Sequence, residues 1–160
     1  MRSEADVEAT IEQYADTVYR ICICYLKNHS DCEDLFQTVF MKYMLYDGRF
    51  YSEEHKRAWL IRVTANACKD QLKTSFWKKR EPLEVLADNS EYLTEQQEEV
   101  MEAVLGLPEK YRMVIYLFYY EGYSAVEIAE VLHKKENTVY SLLARGRKLL
   151  RTKLGGGTDE

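Results

Sequence analysis

Glycine and proline are scarce, at 7 and 2 in 160 residues. Sheets joined by tight turns need more of both, so helices are expected. No apolar run approaches the roughly 18 residues that a membrane-crossing helix needs, and no apolar signal-like stretch opens the chain. Membrane insertion is therefore not expected, and a cytoplasmic location is. Cys22, Cys24, Cys32 and Cys68 show no CxxC spacing, and on a helix the first two point about 200° apart. They are read as buried or half-buried thiols in a reducing compartment, with no metal and no disulfide. Phosphate-cradling glycine loops, metal-ligand spacings and nucleophile motifs are also missing, so His29, His55 and His133 have no catalytic company. No enzyme activity, no catalytic residue and no cofactor are expected.

What the chain does have is apolar content and segmented charge. At 46% hydrophobic residues it can bury one ordinary core or two small ones. The formal net charge of -5 conceals alternating blocks. Residues 1–54, 55–80, 81–110, 111–154 and 155–160 carry -6, +7, -8, +4 and -2. A phosphate senses charge within a Debye length of about 8 Å, so the two basic blocks can meet nucleic acid although the whole is acidic. Solvated charged faces are the plainer alternative.

Apolar residues at steps of three and four mark the helices. Val7, Ile11, Tyr14, Val18, Ile21 and Tyr25 predict one over 5–27. Ser30-x-x-Glu33 reads as a capping box opening a second, with Leu35, Phe36, Val39, Phe40 and Tyr43 as its buried stripe. A third is expected over about 54–76. Residues 77–93 mix charge with Pro82 and Asp88-Asn89-Ser90 and read as a linker. After it, Tyr111, Val114, Ile115 and Phe118 mark a helix following Pro108, and Ser124-x-x-Glu127 forms another capping box. The expected fold is all-α: a helical domain over 1–76, the linker, a second helical domain over 94–154 containing a helix-turn-helix, and a tail over 155–160.

Three helical faces could carry function. On the last helix, with 100° per residue from Val139, Leu142, Leu143, Gly146, Leu149, Leu150 and Leu154 span about -80° to +60°. Asn137, Thr138, Tyr140, Ser141, Ala144, Arg145, Lys148 and Arg151 populate the remainder. A short capped helix and a tight turn precede it, which is the geometry that lays a second helix in a major groove. On the 54–76 helix, Arg62, Asn66, Lys69 and Lys73 form a polar and basic stripe opposite Leu60, Ile61, Thr64, Cys68 and Leu72. Trp59 borders that stripe, and Phe76, Trp77, Lys78, Lys79 and Arg80 close the block. Aromatics among cations suit a single strand whose bases can stack, although Trp59 could equally serve the core. On the second helix the face away from the core carries Asp34, Gln37, Thr38, Met41 and Leu45. It reads as a protein docking face or as a lone exposed apolar pair.

These residues resemble the extracytoplasmic-function (ECF) sigma factors of bacterial RNA polymerase. "DCEDLFQTVFMK" is similar to their polymerase-binding segment and "AWLIRVTANACKDQL" to their helix for the −10 promoter element. "LPEKYRMVIYLFYYEGYSAVEIAEVLHKKENTVYSLLARGRKLL" is similar to their −35-binding domain. The resemblance implies a sigma factor that binds core RNA polymerase and promoter DNA, recognises both elements and helps to melt the −10 region. It implies that Asp34, Leu35, Gln37, Thr38 and Met41 meet core polymerase. Trp59, Arg62, Asn66, Lys69, Lys73 and Phe76 to Arg80 would engage the melted −10 strand. Asn137, Thr138, Tyr140, Ser141, Arg145, Lys148 and Arg151 would bind the −35 duplex. An anti-sigma protein over the same surfaces is a further implied partner.

The chain departs from the family pattern at Lys135, where a small capping residue is usual, and at Tyr140, where a basic one is. Leu142 stands where Arg is usual, either as a core edge or against a thymine methyl. His133 replaces a turn glycine at a position that calls for a left-handed backbone. A stand-alone helix-turn-helix regulator is the competing function, but it would not require the second basic helix or the Asp34 face.

Overall fold

The computed structural model describes residues 1–74 and 95–155. Among the described residues the regular secondary structure is helical, and the chain divides into two compact units, Met1–Glu84 and Val85–Glu160. The expected linker over 77–93 and the end of the tail lie outside the described residues.

The first unit packs α1 (Glu4–Leu26), α2 (His29–Leu45) and α3 (Glu53–Thr74) against one another. Ser3 caps α1, its Oγ accepting from the Asp6 amide at 3.1 Å. Lys27 ends it in the left-handed region at φ 57°. The capping box expected at Ser30 is not used. Asn28 caps α2 instead, accepting from the Asp31 amide at 2.8 Å, and Ser30 lies inside the first turn. Asn and Ser cap about equally well, so a tertiary contact can decide between starts two residues apart. The earlier start brings the His29 imidazole into hydrogen-bonding contact with the buried Tyr19 hydroxyl and within 3.3 Å of Glu33.

Val18, Ile21, Val39, Tyr43, Leu60 and Ile61 fill the core of this unit. Thr64, fully buried on α3, satisfies its hydroxyl by donating to the Leu60 carbonyl at 2.6 Å. All four cysteines are buried and free. Contact with the Cys68 thiol and burial push the Cys22 thiol's pKa up, and burial does the same for Cys32, so both stay protonated.

The second unit comprises α4 (Glu95–Leu105), α5 (Glu109–Tyr119), α6 (Ala125–Leu132) and α7 (Glu136–Lys153). Ser124 and Glu127 form the expected capping box of α6, with bonds of 3.1 and 2.8 Å. His133 closes α6 at φ 57° and ψ 47°, in the left-handed region the turn requires. Lys135 precedes α7 without a side-chain cap, because an ammonium cannot accept from a helix amide. Met101, Leu105, Ile115, Leu117, Ile128 and Val139 make the core. At Gly146 a Cβ would lie 2.9 Å from Ile115 Cγ1, so glycine lets α5 and α7 approach closely.

Candidate nucleic-acid and protein interfaces

Helix α7 separates its residues by face. Val139, Leu142, Leu143, Gly146 and Leu150 are buried, while Asn137, Thr138, Tyr140, Ser141, Ala144, Arg145, Lys148 and Arg151 are exposed. The open question at Leu142 is thereby answered: at 8% exposure it belongs to the core edge. Two members of the expected apolar stripe are corrected, since Leu149 is 39% and Leu154 47% exposed. They occupy the two extremes of the predicted arc, and packing covers only about 100° of it, from Leu142 to Leu143. Arg147 belongs to the packed flank, its guanidinium 4.6 Å from the Phe118 ring centroid. Arg145, Lys148 and Arg151 are the exposed cations on the side that also presents Asn137, Tyr140 and Ser141, and Lys153 is exposed at the end of the helix. Positive side chains near the C-terminal end also oppose the negative end of the helix dipole.

On α3, Asn66 and Lys73 are exposed and Arg62 and Lys69 are half-buried, opposite buried Leu60, Ile61, Thr64 and Cys68. Leu72, expected on the packed side, is half-buried. Trp59 is half-buried within an aromatic cluster, with ring centroids 4.7 Å from Tyr46, 5.6 Å from Phe50 and 6.1 Å from Tyr43. The ring thus has a packing role and keeps part of its surface open. Phe76, Trp77, Lys78, Lys79 and Arg80 lie outside the described residues.

The sequence reading missed the segment between α2 and α3. There Phe50 extends the cluster, and Tyr51, 92% exposed, stacks on His55 at 5.1 Å. The aromatic-rich "YDGRFY" that follows α2 was the available signal.

On α2, Asp34, Gln37, Thr38, Met41 and Leu45 share the exposed side. Thr38 donates to the Asp34 carbonyl at 3.1 Å, and Met41 and Leu45 are 56% and 59% exposed. Leu35 does not share that side. Only 6% of it is exposed, so as a polymerase-facing side chain it is corrected: it packs in the core beside Val39 and Phe40.

Residues 10–78 match the family model for sigma-70 region 2, and residues 97–150 match the model for sigma-70 region 4. The chain is 28% identical over 166 residues to the ECF RNA polymerase sigma factor SigW of Bacillus subtilis, covering 90% of this chain and 86% of that protein. The chain belongs to the ECF sigma factors of the sigma-70 family. This sigma factor is also 27% identical over 151 residues to the RNA polymerase sigma factor SigV of Bacillus subtilis, covering 90% and 88% of the two chains.

Two solved structures share its fold. One is the sigma factor RpoE in complex with the anti-sigma factor NepR from Bartonella quintana, with TM-score 0.69, 19% identity, and 97% and 99% of the chains covered. The other is CnrH in complex with the cytosolic domain of CnrY, with TM-score 0.65, 21% identity, and 95% and 89% covered. Among its own described residues, no helix is long and apolar enough to cross a membrane.

Proposed function

We propose that this sigma factor binds core RNA polymerase through Asp34, Gln37, Thr38 and Met41 on α2 and directs initiation by contacting both promoter elements. The α3 stripe of Arg62, Asn66, Lys69 and Lys73, with the rim of Trp59 and residues 76–80, engages the melted −10 strand. The exposed face of α7 from Asn137 to Arg151 binds the −35 duplex. One observation carries the reading: region 2 and region 4 matches follow one another along a single chain, which a duplex-only regulator does not need. The work divides between residues 1–76 and 94–154, joined by 77–93, and takes place in the cytoplasm. The protein performs no catalysis of its own; the polymerase does. Exposed Met41 and Leu45 suit an anti-sigma protein competing for the same α2 surface.

Run-off transcription from a promoter library tests this. Core polymerase should gain defined start sites only when the protein is added. Duplex binding that stops at repression, with no start sites from core polymerase, would instead identify a stand-alone regulator. In the same system, Lys148→Ala and Arg151→Ala should weaken duplex binding on every sequence. Each lost phosphate contact should reduce the log-log salt slope by about 0.9.

A further inference from the structure

On the exposed side of α7, one residue carries an aromatic ring among small, polar and cationic neighbours. Tyr140 is 54% exposed, in the second turn, while the other large apolar side chains exposed on this helix, Leu149 and Leu154, lie toward its C-terminal end. Among the described residues it makes no ring stacking, cation contact or hydrogen bond, whereas its neighbours Val139 and Leu142 are buried and belong to the core. One helical turn later, at the i+4 position, stands Ala144, also exposed. Tyr140 and Ala144 thus make a small apolar spot with Asn137 and Ser141 on one side, and Arg145, Lys148 and Arg151 follow toward the C-terminal end of the helix.

A helix entering a major groove places its N-terminal half over base edges, and its later cations meet phosphates. Among groups displayed in the major groove, only the thymine 5-methyl is apolar. The phenol O–H can give a phosphate a single hydrogen bond, but the ring itself offers an apolar face, and in the second turn that face is placed to meet the methyl. Resting on the proposed −35 function of this helix, we infer that Tyr140 is a specificity-determining residue that packs its ring against a thymine 5-methyl group in the −35 duplex. Ala144 borders the contact. The Tyr140 hydroxyl is free to meet water or a neighbouring base edge, and the discrimination resides in the ring.

The test removes one methyl group from the DNA. A duplex selected by the full-length protein from a randomised pool is remade with each thymine replaced in turn by deoxyuridine, and binding is measured for wild type, Tyr140→Ala and Tyr140→Phe. Burying one methyl contributes about 0.8 kcal/mol, or about fourfold in Kd. At one thymine the wild type should lose about fourfold, Tyr140→Phe should lose the same, and Tyr140→Ala should not distinguish thymine from uracil there. The inference is overturned if every replacement is neutral for the wild type, if the selected duplex holds no thymine, or if Tyr140→Ala retains the discrimination. It is equally overturned if Tyr140→Ala impairs polymerase binding and leaves the duplex affinities unchanged. Failure to enrich any sequence would instead remove the −35 assignment of α7 itself, and the inference with it.

Discussion

The Arg2 guanidinium donates through Nη2 to the Gly48 carbonyl at 2.6 Å, joining residues 46 positions apart. Its Nε donates to the Tyr43 carbonyl at 3.2 Å, and its carbon sits 4.5 and 5.0 Å from the ring centroids of Tyr43 and Phe50. The N-terminal segment therefore ties down the turn whose Phe50 packs on Trp59. Arg2→Ala removes both bonds and the ring contacts. We expect a loss of about 1–3 kcal/mol, seen as a lower urea midpoint for the first unit with little change in slope. Arg2→Lys should not restore it, because an ammonium cannot reproduce the planar fork. An unchanged midpoint in Arg2→Ala would show the tether to be incidental.

Asp6 lies beside that tether, accepting from the Tyr43 hydroxyl at 2.7 Å and lying 3.5 Å from the Arg2 guanidinium. The Tyr43 hydrogen bond, then the Lys56 and Arg2 charges, hold its pKa below the usual carboxylate value against the opposing effect of burial. Because the folded pKa is the lower one, the stabilisation is fully present above the unfolded value, near about 4, and is lost as pH falls through the folded value. Thermal melts of wild type and Asp6→Asn should differ at neutral pH and converge as the solution is acidified below about pH 4. A gap that stays constant through that range would count against the linkage.

At Gly146 the space for a side chain is already occupied by Ile115, whose Cγ1 and Cδ1 would lie 2.9 and 3.0 Å from an added Cβ. Gly146→Ala should gain about 1 kcal/mol of helix propensity and lose about 1–3 kcal/mol to overpacking. The net expectation is destabilisation of the second unit. Combining it with Ile115→Ala, which removes both Cγ1 and Cδ1, should give a double mutant more stable than the sum of the two single effects predicts. Strict additivity would mean that the helices separate freely.

The α2 assignments can be divided by burial. Asp34→Ala and Gln37→Ala, both exposed, should leave the melting temperature nearly unchanged and weaken binding to core polymerase. Leu35→Ala should do the reverse first, costing about 2–5 kcal/mol of stability because the side chain is enclosed. If the exposed pair alters stability while polymerase binding survives, the docking face lies elsewhere.

How much of this could be read from the chain depends on how far apart the interacting residues are. The steps of three and four from Val7 to Tyr25 located the first helix to within a residue at either end, as Glu4–Leu26 against 5–27. Periodicity survives in sequence because each turn repeats the same choice between core and water. The start of α2 was misread because Asn28 and Ser30 are both competent caps, and contacts of His29 with Tyr19 and Glu33 favour the earlier one. Arg2 gave no local sign of its role: a lone arginine bonded to carbonyls more than forty residues away leaves no pattern.

At the candidate sites the same division holds. The alternation of charge blocks and the capping box at Ser124 were legible because each rests on neighbours within a few residues, whereas the left-handed position of His133 was expected only from the family resemblance. Which edge residues the core would cover was not legible. Leu142, Leu149 and Leu154 all stand near the borders of one apolar arc, and packing in the second unit buries the first while leaving the other two in water. By itself the sequence determined the helices, their order and the faces carrying charge, through local propensity and the free energy of burying apolar surface. Tertiary packing alone decided where each face ends, because a helix's boundary with solvent is drawn by the neighbour that covers it.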